Sequence, residues 1–250
     1  MLEGLRTARG VIRSLRIYYG DKERNAAMDR LYRRFVGPGD LVFDIGAHVG
    51  DRIAAFRRLE ARVVALEPQA ALIRTLRLLY GRDPNVTIEA AAVGARRGCI
   101  ELSLNIDNPT VSTASPDFVD AAAGAPGWEN QTWAKRLLVP MTTIDALVEK
   151  HGLPAFIKID VEGFEAEVLA GLTIAVPALS FEFTTIQTDV ARACIERCFS
   201  LGYLQFNAVL GESQRFEHAN WIDANALASW LAELPAGANS GDVYACLGSH

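Results

Sequence analysis

The 250-residue sequence predicts an α/β fold: a doubly wound, mostly parallel seven-stranded sheet, with an N-terminal helical arm and a β-hairpin/loop insertion. Three observations predict it. From residue 41 onward short apolar runs alternate with helical periodicity, the rhythm of a parallel sheet covered on both faces. The first run, Leu41 to Ile45, enters a glycine turn, Gly46-Ala47-His48-Val49-Gly50, and a helical pattern starts at once. Acids close four of the runs, Asp44, Glu67, Asp160 and Glu182, which the topology should gather on one edge of the sheet.

The elements follow in order. Two arm helices, near 2–18 and 22–36, end at Gly37-Pro38-Gly39. Strand 41–45 leads to helix 51–60, and strand 63–67 leads to helix 69–80. That second helix carries Leu72, Leu76 and Leu79 on one face and stops at Gly81. Strand 86–93 comes next. Runs 99–104 and 136–141 then read as strands around a polar stretch of a length that usually marks a lid or binding loop. The stretch holds Asn105, Asn108, Ser112, Thr113, Ser115, Trp128 and Trp133, hydrogen-bonding groups and stacking rings suited to a carbohydrate or polar acceptor. Alternation resumes with helix 143–151, strand 155–160 and helix 165–170. Strand 178–183, helix 188–201, strand 203–209, helix 223–234 and strand 242–247 complete the chain. The expected division is an arm over 1–36 and a catalytic domain over 37–250.

Composition narrows the classes. Half the residues are hydrophobic, yet no charge-free run approaches the roughly 18 residues of a membrane span. Arginines interrupt every apolar run up to Phe35, which is not a signal-peptide pattern. Cys99, Cys194, Cys198 and Cys246 lack the spacing of a zinc site or a disulfide framework, so a cytoplasmic setting is expected. Net charge is +5 over residues 1–36 and −10 over the rest, a balance that argues against a nucleic-acid substrate. Arg6, Arg9, Arg13 and Arg16 share one face of the first helix, with Val11, Ile12 and Leu15 opposite. That face reads as a solvated surface, with partner recruitment or a homodimer contact as the other readings.

The first turn also speaks to the ligand. A dinucleotide site needs G-x-G-x-x-G, and the middle glycine is missing here. Asp44 would repel a pyrophosphate and attract a cation. Glu67, about 20 residues on, is placed to meet ribose hydroxyls. A nucleoside with a positive centre fits best.

Asp44-Ile-Gly-Ala-His-Val-Gly50, followed by Lys158-Ile-Asp-Val-Glu-Gly-Phe-Glu165, resembles the FkbM-type family of S-adenosylmethionine-dependent methyltransferases. The resemblance runs from about Gly37 to Tyr203, and the second motif is the more specific. It implies a Rossmann-like methyltransferase sheet whose last strand runs antiparallel, and S-adenosylmethionine as cofactor. It further implies that Gly46 and Gly50 let the backbone approach the methionine part and that Asp44, Ala47 and His48 contact the cofactor. Glu67 would hold the ribose hydroxyls, and Pro68 and Gln69 would border the ribose and adenine. Ala91 and Ala92 would flank the adenine, and Asp160 would face the reacting centre.

The expected reaction is methyl transfer to a hydroxyl of a sugar, glycan or secondary metabolite. Asp160 is the first choice for base or acceptor-orienting residue, with Glu182 and Glu162 as further candidates and Glu165 read as a helix-dipole partner. Ser112, Thr113 and His218 are the candidate acceptor contacts. The family often places a histidine just after the acid of the fifth strand. This chain reads Phe181-Glu182-Phe183-Thr184-Thr185, which leaves Glu182 alone. Asp160 and Glu182 would also suit Mg²⁺, although no metal ligand is assigned. The rival reading is a non-catalytic module that recruits a partner through its basic arm. A nicotinamide oxidoreductase is weaker still.

Overall fold

The computed structural model describes residues 2–248, with side chains from residue 7 onward, so the side chain of Arg6 lies outside the described residues. The central sheet is built from β1 (Leu41–Ile45), β2 (Arg62–Leu66), β3 (Val86–Glu89), β7 (Phe156–Ile159), β8 (Ala178–Thr184), β9 (Gln205–Leu210) and β10 (Ser240–Cys246). Its order is β3-β2-β1-β7-β8-β10-β9, and β10 runs antiparallel to both neighbours. The chain winds outward from β1 to β3, then crosses back to β7. Strand order therefore reverses between β1 and β7, where open α/β sheets bind their ligands.

Period-two alternation distributes the side chains of β1. Leu41, Phe43 and Ile45 enter the larger core, with α6 (Ile144–His151), α7 (Glu165–Ala170), α8 (Thr188–Ser200) and α9 (Ala224–Ala232). Val42 joins the opposite core, with Met28, Tyr32 and Phe56 of α2 (Lys22–Tyr32) and α3 (Asp51–Arg58). Asp44 continues that second face. A buried carboxylate thus stands where the pattern would otherwise place an apolar residue.

The expected strand 86–93 is in fact two. β3 stays in the main sheet, the chain breaks at Ala90 and Ala91, and β4 (Ala92–Val93) pairs in parallel with β6 (Lys135–Thr142) of a second sheet. β6 also pairs antiparallel with β5 (Gly98–Leu104), giving the expected hairpin. The intervening stretch is not an open loop. It holds a 3-10 turn (Pro109–Val111) and α5 (Pro116–Ala122), whose N-terminus is capped by Ser115 Oγ accepting from Phe118 N–H at 3.1 Å. Val111, Phe118, Ala122 and Trp128 form a small core of their own, with Trp133 packed against it. The two tryptophans are therefore core rings, edge-on to Phe118, and no open stacking platform.

Helix α1 (Leu2–Gly20) lies across the 3-10 turn and α4 (Ala70–Tyr80). A Cβ on Gly10 would fall 2.8 Å from Pro109 Cδ, so the glycine permits this approach. Val11 is buried beneath the helix, whereas Ile12, expected beside it, is 48% exposed. Arg9, Arg13 and Arg16 are exposed. No helix among the described residues is long and apolar enough to cross a membrane.

Candidate active site

The turn after β1 is clipped to its neighbour strand: Gly46 and Ala47 N–H both donate to Leu66 O, at 3.0 and 2.9 Å. Gly46 has φ +88°, and a Cβ there would lie 1.7 Å from Asp160 O. Only glycine lets the turns after β1 and β7 close on each other. Gly50 serves the turn differently. It has φ +85° at the start of α3, and a Cβ would meet Tyr80 and Leu76 within 3 Å.

Glu67, just past β2, is held by the backbone. Its carboxylate accepts from His48 N–H at 3.1 Å and from Gln69 N–H at 2.8 Å. Burial nevertheless pushes its pKa up to about 8. Asp44 is 1% exposed, and burial, reinforced by nearby Asp51, pushes its pKa up to about 7. One of its carboxylate oxygens is buried without a partner among the described residues. Burial lowers His48 to about 4, so the ring is neutral at physiological pH. Its Nε2 lies 3.2 Å from Thr110 Oγ1, and its ring meets Tyr18 edge-on at 5.7 Å.

Lys158 is the cation of the site. It lies opposite Asp44 in the β1–β7 register and is completely buried. Its Nζ donates to Asp242 Oδ1 at 2.9 Å and Asp160 Oδ2 at 3.1 Å. Burial opposes the ammonium, but the two carboxylates overcome it and raise the pKa well above the ordinary lysine value. Lys158 in turn holds Asp160 below the ordinary carboxylate value, against burial. Beyond Asp160, Glu165 Oε1 accepts from Val161 and Gly163 N–H and so closes the turn. Glu162 stands in that turn with φ +56°, its main-chain oxygen accepting from Thr113 Oγ1 at 2.6 Å.

One pocket at the reversal point collects most of the expected residues. Asp44, Gly46, Ala47 and His48 line it from the first turn, and Glu67 and Pro68 from the second. Ala91, Ala92, Asp160, Glu162 and Ser112 complete that set. Four residues are not brought there, Glu182 of the neighbouring cavity among them. Gly50 lies behind the turn. Thr113 is fully buried, with its hydroxyl spent on Glu162 O. His218 sits in the loop after β9, its ring edge-on to Trp230 at 5.2 Å.

Other lining residues carried no sequence signal. Tyr18 arrives from α1, and Glu212 follows β9. Glu212 forms ion pairs with Arg24 (2.7 Å) and Arg52 (3.3 Å), which both also reach Asp51. Burial opposes the Glu212 carboxylate, but the two guanidiniums hold its pKa down to about 2. Glu182 lines a neighbouring cavity of about 340 Å³ with Trp128, Asn108 and Thr184. Tyr18, Thr110, Glu162 and Glu212 border both spaces.

Residues 44–233 match the methyltransferase FkbM domain. The chain belongs to the FkbM methyltransferase family. It is an S-adenosylmethionine-dependent methyltransferase. The FkbM chain is also similar to several solved structures. One is precorrin-6y C5,15-methyltransferase from Geobacter metallireducens, at 14% identity and TM-score 0.44, covering 91% of this chain and 89% of that one. Another is a TehB-like SAM-dependent methyltransferase from Corynebacterium glutamicum, at 11% identity and TM-score 0.45, covering 88% and 86%. A third is Aeropyrum pernix fibrillarin with natively bound S-adenosyl-L-methionine, at 11% identity and TM-score 0.44, covering 84% and 68%. No curated protein matches the FkbM chain.

Proposed function

We propose that this FkbM methyltransferase is an O-methyltransferase for a hydroxyl of a sugar, glycan or secondary metabolite. The observation that carries the reading is the placement of Glu162. It borders both the pocket containing Asp44, Gly46 and Glu67 and the adjacent polar cavity, with Asp160 beside it. A carboxylate at such a seam can orient an acceptor hydroxyl and take its proton.

The first pocket suits the cofactor. The glycine cradle at Gly46 would be filled by any Cβ, and Asp44 has a buried oxygen without a partner to meet a cationic centre. Glu67 is already oriented by two backbone N–H groups to accept ribose hydroxyls. Ala91 and Ala92, at the break between β3 and β4, would flank the adenine. When bound, S-adenosylmethionine supplies an electrophilic methyl group: the acceptor oxygen forms the new C–O bond, and the C–S electron pair goes to sulfur.

The protein's own part is alignment and proton removal. Holding two reactants in line is worth about 7–11 kcal/mol, and a positioned base adds roughly 10²–10⁴-fold. Asp160 is kept ionised by Lys158 and serves to orient. Burial and Asp160 raise Glu162 and Glu182 well above the ordinary carboxylate value, so each is a strong base once it has lost its own proton.

Calorimetric titration with S-adenosylmethionine and S-adenosylhomocysteine, followed by a screen of hydroxylated acceptors with labelled cofactor, tests the reading. Binding of both with methyl transfer to a hydroxyl is expected. Binding with transfer only to nitrogen or carbon acceptors would overturn the O-methyl assignment.

A further inference from the structure

We infer that Asp160, Glu162 and Glu182 hold a divalent cation, Mg²⁺ or Mn²⁺, between the cofactor pocket and the acceptor cavity. One oxygen from each of these carboxylates lies within 4.8 Å of the other two. An octahedral Mg²⁺ with oxygens at about 2.1 Å spans about 4.2 Å, so small side-chain rotations close the set on an ion.

The charge around these oxygens is uncompensated. Lys158 lies against Asp160, but Asp242 shares it at the shorter distance, 2.9 against 3.1 Å. Among the described residues no hydrogen bond or ion pair reaches the carboxylate of Glu162, which is 7% exposed. Glu182 Oε2 is likewise buried without a partner. Ionising these two acids beside Asp160 would require positive charge that no side chain among the described residues supplies to them.

A second observation comes from another element. Trp128, also 7% exposed, lines the cavity that Glu162 and Glu182 line, and its indole N–H is buried without a partner. This open donor and the open Glu182 oxygen line one cavity with Glu162, which suits an oxygen-rich ligand held on a cation. A site of oxygen donors alone favours Mg²⁺ or Mn²⁺ over zinc or copper.

The site deepens the methyltransferase reading and rests on it for the acceptor. Three protein oxygens leave about three of six positions for water or acceptor oxygens. An acceptor with two neighbouring hydroxyls, as in a sugar diol, would be held through both. Glu162 and Glu182, each bound through one oxygen, keep the second for the hydroxyl proton, while Asp160 gives an oxygen to Lys158.

The test is Mn²⁺ binding to the full chain, followed by electron paramagnetic resonance without cofactor. One saturable Mn²⁺ per chain, displaced by excess Mg²⁺, is expected. Glu162→Gln and Glu182→Gln, each confirmed folded by its thermal melt, should weaken it at least about 10-fold. Glu67→Gln, which removes a cofactor contact, should leave it unchanged. Terbium luminescence excited through Trp128 gives a second readout on the wild-type protein, and it should fall in Trp128→Phe. Absence of a saturable site, or a site indifferent to both glutamine variants, overturns the inference. Loss of adenosyl-ligand binding with Mn²⁺ binding intact would instead overturn the methyltransferase reading.

Discussion

Gly46 and Asp160 touch: a Cβ on the glycine would stand 1.7 Å from the main-chain oxygen of the aspartate. The contact brings together the ends of β1 and β7, and with them the two acids that flank the cofactor pocket. Gly46→Ala must either push those strand ends apart or abandon φ +88°. The conformational penalty alone exceeds about 1 kcal/mol, and the clash adds to it. Urea unfolding should show a clear loss of stability, with cofactor binding lost in whatever remains folded.

Lys158 has no apolar substitute. Lys158→Met would leave the buried Asp242 and the partly exposed Asp160 as uncompensated carboxylates, at a cost of up to about 3–5 kcal/mol near neutral pH. Because Lys158 holds Asp160 below its ordinary value of 3.8, this stabilisation is present above that value and is lost as pH falls through the depressed one. Denaturant melts at pH 7 and at about pH 2 should therefore show the deficit shrinking in acid. An equal deficit at both would remove the electrostatic explanation.

Cofactor-free stability should fall as pH rises from 6.5 to 8. Burial raises Asp44 from 3.8 and Glu165 from 4.5, both to about 7, and raises Glu67 from 4.5 to about 8. The folded state then binds more protons than the unfolded one, and stability is lost toward the raised values. His48, lowered from 6.5 to about 4, acts the other way, but its contribution is complete above 6.5. Glu67→Gln should flatten the decline between 7 and 8 in a Tm series. The same variant should weaken S-adenosylhomocysteine binding about 10–100-fold, through loss of charge-assisted hydrogen bonds to the ribose.

Tyr18 gives the cofactor pocket a wall from α1. Its ring meets His48 edge-on, and Arg24 lies over it at 5.1 Å. Tyr18→Ala should raise the cofactor Kd roughly 3–10-fold with little change in Tm. An unchanged Kd would show that α1 takes no part in binding.

What the sequence disclosed was whatever has a local cause. Acids at strand ends, a glycine turn before a helix and alternating periodicities each announce themselves within ten residues, so Asp44, Glu67 and Asp160 were legible. The break at Ala90 and Ala91 was not, because Ala90, Ala91 and Ala92 continue the run with no turn residue among them to mark a change of sheet. The small core around Phe118 was hidden for a similar reason: Val111, Phe118 and Trp128 are too irregularly spaced to show a period. Tyr18 and Glu212 reach the pocket only through tertiary packing. Ile12 looked like a core residue of α1, yet the buried side of that helix runs through Gly10, Val11 and Ser14.

The insertion of β10 between β8 and β9 also bears on how the molecule comes into being. Asp242 follows Lys158 by 84 residues, so a ribosome finishes β1, β7 and β8 long before it supplies that partner. Of the two carboxylates that hold the lysine in the finished fold, only Asp160 precedes β8 in the chain. The sheet can nucleate early on its parallel half. It becomes a finished, dry interior only when the antiparallel strand slides between β8 and β9.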